Sequence, residues 1–104
     1  MTEFLEVASI EQVAPGHSLV VTVAGKDVAL FNVEGQIYAI DDACAHQGAS
    51  LGAGKIEGNV VTCRAHGLKY DVTTGFVGGS PGYGVASHAV QVVNGMIAVA
   101  VKNG

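Results

Sequence analysis

Short apolar runs separated by turn-forming residues recur along the chain, and no stretch shows a long helical period. The 104 residues are 49% apolar and include 15 glycines, about twice the usual share of roughly 7%. Tryptophan is absent, so a core must be built mainly from valine, alanine, isoleucine and leucine. This combination favours short strands joined by tight turns and predicts an all-β fold, a small antiparallel β-sandwich or partly open barrel.

The apolar runs give a specific order of strands. A hairpin is predicted about Asn94-Gly95, because both turn residues tolerate positive φ. The segment from about 42 to 83 is rich in glycine and turn residues, with another hairpin about Gly58-Asn59. We therefore expect a single domain over 1–104, with segment 42–83 inserted in a base β-domain as loops and short strands. Strands before that segment are predicted over Phe4–Ala8, Leu19–Val23, Val28–Val33 and Ile37–Asp41.

The charge balance excludes several classes of partner. Five basic and nine acidic side chains give a formal charge of −4, which disfavours a surface that binds nucleic acid. No signal peptide is recognisable, and no run of about 18 apolar residues could span a bilayer. We expect a soluble, cytoplasmic protein without a membrane partner. In that compartment a lone pair of cysteines more often binds metal or reacts than forms a disulfide.

Both cysteines and two of the four histidines form two pairs, Cys44-x-His46 and, after sixteen intervening residues, Cys63-x-x-His66. Two thiolates and two imidazoles make a four-ligand set that suits zinc or an iron–sulfur cluster. Two loops that each supply one cysteine and one histidine fit two irons better than one tetrahedral ion. A structural zinc site stays open as an alternative. A Cys–His nucleophile is weaker, because it leaves one pair idle.

The runs CAHQGASL and GNVVTCRAHGLKYDVTTG, followed by GGSPGYGV, resemble the Rieske signature, and the resemblance covers most of the chain. It implies the Rieske fold and one [2Fe-2S] cluster. Cys44 and Cys63 would hold the buried iron, whereas His46 and His66 would hold the outer iron. A third loop around Pro81 would cover the cluster.

Departures from the family pattern narrow the subtype. Rieske proteins of cytochrome bc complexes carry two further cysteines in a disulfide, but Ala49 and Ala65 occupy those positions here. Leu68 stands where those proteins place a serine that donates to a cluster sulfide. Tyr70 matches their tyrosine, whose hydroxyl could reach the Cys44 sulfur. Fewer donors to sulfur predict a low potential for a Rieske centre.

The chain is most similar to the soluble Rieske ferredoxins of bacterial multicomponent aromatic oxygenase systems. This resemblance implies that the chain has no catalytic residues. It would carry single electrons from an NAD(P)H-dependent ferredoxin reductase to a terminal oxygenase in aromatic hydrocarbon catabolism. Both partners would dock transiently on a monomer at the His46/His66 tip. The alternatives are the small Rieske subunit of an assimilatory nitrite reductase and, less favoured, a zinc-stabilised interaction module. Residues expected beside the tip are Gln47, Gly48, Pro81 and Gly82.

Two further expectations concern residues outside the ligand set. His17 and His88 are predicted to be ordinary surface or strand-edge histidines, and nothing supplies a two-histidine and carboxylate site for a mononuclear iron. Segment 42–82 holds three acidic and three basic side chains, so its formal charge is zero. Docking at the tip is therefore expected to depend weakly on salt.

Overall fold

Regular structure in this protein is almost all strand. The computed structural model describes residues 4–43, 49–64, 67–78 and 82–101. Two 3₁₀ turns, Ile10–Gln12 and Leu51–Ala53, are the helical elements of these ranges, and none of them has the length to cross a bilayer. The strands are β1 (Leu5–Ser9), β2 (Ser18–Val23), β3 (Lys26–Val33), β4 (Gln36–Asp41), β5 (Lys55–Glu57), β6 (Val60–Thr62), β7 (Lys69–Asp71), β8 (Ser87–Val93) and β9 (Met96–Ala100).

Six strands form an antiparallel sheet in the order β1-β9-β8-β4-β3-β2. Its edge strands β1 and β2 come into contact, so the sheet is a nearly closed barrel. Three of its hairpins turn on pairs in which both residues have positive φ: Ala24-Gly25, Glu34-Gly35 and Asn94-Gly95. That turn geometry matches the right-handed twist of paired strands, which explains how short runs become hairpins. The predicted all-β antiparallel fold is confirmed.

A second, three-stranded antiparallel sheet has the order β5-β6-β7. All of it lies in the stretch between β4 and β8, which are neighbours in the barrel. At the junction the Asp41 N–H donates to the Ala86 carbonyl at 2.9 Å. The division of one 1–104 domain into a base and an insertion over about 42–83 stays our proposal, and the small sheet lies wholly within that segment.

Strand β3 is buried on both faces. Val28 and Leu30 point into the barrel interior, where they pack with residues such as Ile97. Ala29 and Phe31, which alternate with them, point out of the barrel and form part of a second core under the three-stranded sheet. Strand side chains alternate between faces, so a strand covered on both sides reads as the continuous apolar run VALF. The second core consists of Ala29, Phe31, Ile40, Leu51, Val61, Cys63, Tyr70 and Val72.

A buried amide near the end of β3 joins two segments of the chain. Asn32, at 3% exposure, donates through Nδ2 to the Val13 carbonyl at 2.7 Å. Its Oδ1 accepts the Gly35 N–H of the β3–β4 turn at 2.8 Å. One side chain therefore joins the segment before β2 to the turn after β3, and its polar atoms are satisfied.

Replacing Asn32 with alanine is expected to lower the free energy of unfolding by about 1–3 kcal/mol, because a buried carbonyl and a turn N–H lose their partner. Urea unfolding followed by circular dichroism measures this. Gln91→Ala, on the exposed side of β8, is the matched control and should change the value by less than about 0.5 kcal/mol. Equal effects of the two substitutions would contradict a structural role for Asn32.

Candidate metal centre

Of the four predicted ligands, the structure describes Cys63. Cys44, His46 and His66 lie outside the described residues, as do Ala65 and Pro81. Within the described ranges, no group of three or more His, Cys, Asp or Glu side chains could hold a metal ion. The four-residue ligand set therefore stays a prediction, and the structure contributes the surroundings of one ligand and the bases of the loops.

Cys63 follows β6 directly and is a free, fully buried cysteine. It belongs to the second core together with Leu51, Val61 and Tyr70. Three loop segments border this core, and each contributes at least one partly buried apolar side chain to it. The cysteine consequently sits in apolar surroundings where the bases of three loops meet. The side chains from the loops are Ala49, Leu68, Val77 and Val85.

The base of the first loop depends on Asp42. Its carboxylate Oδ1 accepts hydrogen bonds from the Ser50 hydroxyl and the Gly52 N–H, both at 2.8 Å. Its carbonyl accepts the Leu51 N–H at 2.6 Å, and Ala43 pairs with Ser50 in an isolated bridge. These bonds hold together the two ends of the loop over 44–49. A single acidic side chain thus fixes the position from which Cys44 and His46 depart.

The second loop is a tight turn at Cys63. The Cys63 N–H donates to the Leu68 carbonyl at 2.8 Å, and the Gly67 N–H returns to the Cys63 carbonyl at 2.9 Å. Gly67 adopts φ +72°, a left-handed conformation that favours glycine. The backbone at Cys63 therefore both donates and accepts, so the peptide group of this predicted ligand is itself hydrogen-bonded.

The third loop is closed by two chain segments that nearly touch. The Val77 N–H donates to the Tyr83 carbonyl at 2.7 Å, and the Val85 N–H donates to the Gly75 carbonyl at 2.8 Å. A Cβ placed on Gly84 would collide with the Gly75 carbonyl, so only glycine allows this approach. The glycine-rich stretch is thus a close backbone crossing, beyond which lies the segment around Pro81.

Two side chains near Cys63 bear on the chemistry of a cluster there. Tyr70 is fully buried on β7, opposite Val61 in the sheet register. Leu68 is half-buried, packs on the same core, and carries no hydrogen-bond donor. A buried free thiol in an apolar site with rigid loop bases fits a soft metal centre, since thiolate ligands select zinc or iron–sulfur clusters.

The prediction that His88 is a surface or strand-edge histidine was wrong. His17 is exposed, but His88 lies in β8 opposite Ala39, and its side chain is fully buried. Its Nε2 is 2.7 Å from Asp41 Oδ1, and Lys26 Nζ is 3.2 Å from the same oxygen. A histidine at a strand start resembles a surface residue in sequence. Here the pairing of β8 with β4 covers it, and the carboxylate satisfies the buried ring.

Sequence reasoning also missed Asp42. A lone aspartate beside a glycine-rich stretch carries no distinguishing pattern, because its partners Ser50 and Gly52 are eight and ten residues away. The one available signal was its position at the end of a predicted strand, where side chains that accept backbone N–H groups often begin loops.

Comparison with known proteins agrees with this geometry. The family described as the Rieske [2Fe-2S] domain matches residues 3–94. The ferredoxin component of a naphthalene 1,2-dioxygenase system from Pseudomonas putida is 40% identical over 73 residues, which are 70% of this chain and 70% of that protein. The biphenyl dioxygenase ferredoxin subunit of Pseudomonas sp. strain KKS102 is 39% identical over 79 residues, 75% and 72% of the two chains.

Solved structures show the same fold. The ferredoxin of carbazole 1,9a-dioxygenase from Nocardioides aromaticivorans IC177 superposes with a TM-score of 0.88 and 29% identity, covering 95% of this chain and 98% of that one. A chain from a complex of reduced oxygenase and oxidized ferredoxin in carbazole 1,9a-dioxygenase gives 0.86 and 32%, covering 97% and 95%. A putative nitrite reductase small subunit from Mycobacterium tuberculosis gives 0.88 at 20% identity, covering 100% and 99%, and shows the fold alone.

Asp42→Ala is expected to lower the free energy of unfolding by about 1–3 kcal/mol and to speed the loss of bound iron, because the first loop loses its anchor. Urea unfolding and the decay of visible absorbance measure the two effects. Asp42→Asn retains an acceptor oxygen for Ser50 and Gly52 and should recover most of both losses. The role assigned to Asp42 fails if Asn and Ala behave alike or if neither changes iron retention.

Proposed function

This chain belongs to the Rieske [2Fe-2S] domain family, and on that premise we propose that it passes single electrons from an NAD(P)H-dependent ferredoxin reductase to a terminal oxygenase. It carries one [2Fe-2S] cluster and is an electron carrier rather than a catalytic oxygenase. The observation that carries this function is that relatives at about 40% identity are ferredoxin components of dioxygenase systems.

We propose Cys44, Cys63, His46 and His66 as the ligands, the cysteines on the inner iron and the histidines on the outer one. The burial of Cys63 in an apolar core supports an inner position for the thiolates. When bound, the cluster takes up and releases one electron, at a higher potential than an all-cysteine cluster because two imidazoles replace two thiolates. The histidine side would then face the partners.

The chain's own residues would act chiefly by holding these ligands still. Each of the three loops is closed at its base by backbone hydrogen bonds of 2.6–2.9 Å, and Asp42 adds two side-chain bonds to the first. Ligands placed on rigid supports change geometry little between oxidation states, which favours fast electron transfer. The Leu68 side chain contributes bulk and excludes water, but no hydrogen bond to sulfur.

Both partners would dock in turn at the His46/His66 tip, beside Gln47, Gly48, Pro81 and Gly82. Of these, Gly82 lies in the described residues and is exposed. Encounters of this kind are small and short-lived, commonly below about 1,200 Å² of buried surface. A monomer suits a carrier that must release each partner. We propose that the protein acts in aromatic catabolism in the cytoplasm.

The two alternatives are less well supported. Likeness to a nitrite reductase small subunit is at 20% identity and reaches the fold only, whereas likeness to oxygenase ferredoxins extends to about 40%. A zinc-stabilised module is set aside because the family carries a [2Fe-2S] cluster.

The function predicts a red-brown protein that bleaches with dithionite and then gives an EPR signal whose average g lies below the free-electron value. Cys63→Ser and His46→Ala are expected to lose that signal, because each removes a proposed ligand. His17→Ala is the matched control and should retain it, since His17 is exposed and outside the ligand set. Product formation by the naphthalene 1,2-dioxygenase oxygenase of Pseudomonas putida, supplied with a reductase, tests the acceptor.

A colourless protein that holds stoichiometric zinc after anaerobic reconstitution would overturn the electron-carrier function. A reducible cluster that supports a sirohaem nitrite reductase but no oxygenase would instead favour the nitrite reductase alternative.

The lack of a donor at Leu68 predicts a midpoint potential below zero millivolts. Leu68→Ser is expected to raise it by about 60 mV, because one hydrogen bond to a charged sulfur is worth roughly a tenfold change in the equilibrium of a one-electron couple. Leu68→Ala, which shortens the side chain without adding a donor, is the control and should shift it much less. Spectroelectrochemical titration measures all three proteins, and a wild-type value well above zero would refute the prediction.

A further inference from the structure

On the outer face of the three-stranded sheet, basic and acidic side chains lie in different cross-strand rows. The register places Lys55 opposite Thr62, and Thr62 opposite Lys69, in the row next to the turn at Cys63. Two residues further along β5 and β7, the next row on the same face instead holds Glu57 and Asp71. The row between them, Ile56, Val61 and Tyr70, alternates to the inner face and joins or packs on the second core.

The cations next to the second loop are all exposed. Arg64, one residue beyond Cys63, and Lys69 are exposed, and neither makes an ion pair within the described residues. Lys55 lies 3.9 Å from Glu57, but both side chains are more than two-thirds exposed, so the attraction is weak. We call Lys55, Arg64 and Lys69 the basic rim.

Two of the three carboxylates in this segment are less exposed than its three cations. Asp42 is 7% exposed and turned toward the first loop. Asp71 is half-buried, and its Oδ1 accepts bonds from the Thr73 N–H and hydroxyl at 2.9 and 2.6 Å. Glu57, the third carboxylate, is exposed but lies with Asp71 in the row two residues away, so the row next to the second loop is positive although segment 42–82 has a formal charge of zero.

The barrel carries the opposite charge. Its one cation in the described ranges, Lys26, is paired with Asp41. The molecule, with a longest extent of 36 Å, is thus negative over its base and positive beside the proposed cluster loops. Charges separated by more than about 8 Å are largely screened at physiological salt, so a partner at the rim responds to the rim. The exposed barrel carboxylates are Glu6, Glu11, Asp27 and Glu34.

We propose that the basic rim receives an acidic patch on the electron acceptor and so orients the negatively charged carrier with its cluster end forward. The inference rests on the proposed function, under which that acceptor is the terminal oxygenase. Electrostatic complementarity of this kind acts mainly on the rate of productive encounter. It replaces the expectation of weak salt dependence, because attraction at the rim weakens as salt is added.

Small electron acceptors of opposite charge test the local field without needing the natural partner. The dithionite-reduced protein, freed of excess dithionite, is mixed with ferricyanide or with tris(phenanthroline)cobalt(III), and reoxidation is followed by stopped flow. One electron passes from the protein to one acceptor ion, and no bond or proton is transferred. We expect added salt to slow ferricyanide and to accelerate the cobalt complex, although the protein's net charge is −4.

At an ionic strength of about 0.1 M, where the Debye length is about 10 Å, Lys69→Glu should slow ferricyanide roughly threefold to fivefold, and Lys55→Glu should slow it less. Glu34→Lys, on the β3–β4 turn of the barrel, is the control with the opposite charge change and should alter the rate less than about twofold at that ionic strength. Lys69→Glu combined with Glu34→Lys restores the net charge of −4 and should still react as slowly as Lys69→Glu alone. These substitutions avoid Arg64, which adjoins a proposed ligand.

Three results would overturn the proposal: ferricyanide accelerating with salt, equal and opposite effects of the two single substitutions, or recovery of the wild-type rate in the double variant. Each would show that net charge, not the rim, governs approach. A protein without a one-electron reducible cluster would overturn the proposed function itself, and that result is visible before any acceptor is added.

Discussion

The burial of β3 on both faces is the constraint on which the remaining structure depends. One strand supplies Val28 and Leu30 to the barrel and Ala29 and Phe31 to the core beneath the three-stranded sheet. Full burial of a valine, leucine or phenylalanine side chain contributes about 1.5–3 kcal/mol, so the two cores stabilise each other through a shared strand. The loop bases around Cys63 consequently rest on the barrel wall and not on a flexible extension.

The bases of the loops are held mainly by backbone groups. Hydrogen bonds from peptide N–H groups close all three; residue identity matters at Asp42, whose carboxylate accepts, and at Gly84, where a side chain would not fit. Backbone bonds do not depend on the identity of the residues that make them. The positions of the loops therefore depend mainly on the backbone. A few side chains determine what the loops bind and which partners approach.

Sequence patterns could predict most of the fold and the candidate ligands, for identifiable reasons. The strands follow short apolar runs. The hairpin at Asn94-Gly95 is predictable because these two residue types themselves tolerate positive φ. The spacing of the paired cysteines and histidines predicts a four-ligand set, and the resemblance to the Rieske signature assigns that set to a [2Fe-2S] cluster. What escaped prediction depends on contacts distant in sequence. His88 is buried by a strand far from it in the chain, and the charge at the rim depends on which carboxylates fold inward.

The small sheet is inserted between two strands that lie side by side. The chain leaves the barrel after Asp41 and returns at Ala86, and one hydrogen bond of 2.9 Å joins the peptide groups of these two residues. The entropy of closing a loop grows only slowly with its length when its ends already meet. Residues can therefore be gained or lost inside the insertion with little effect on barrel register. In such a domain the loops of this segment can change in length while the barrel that carries them stays the same.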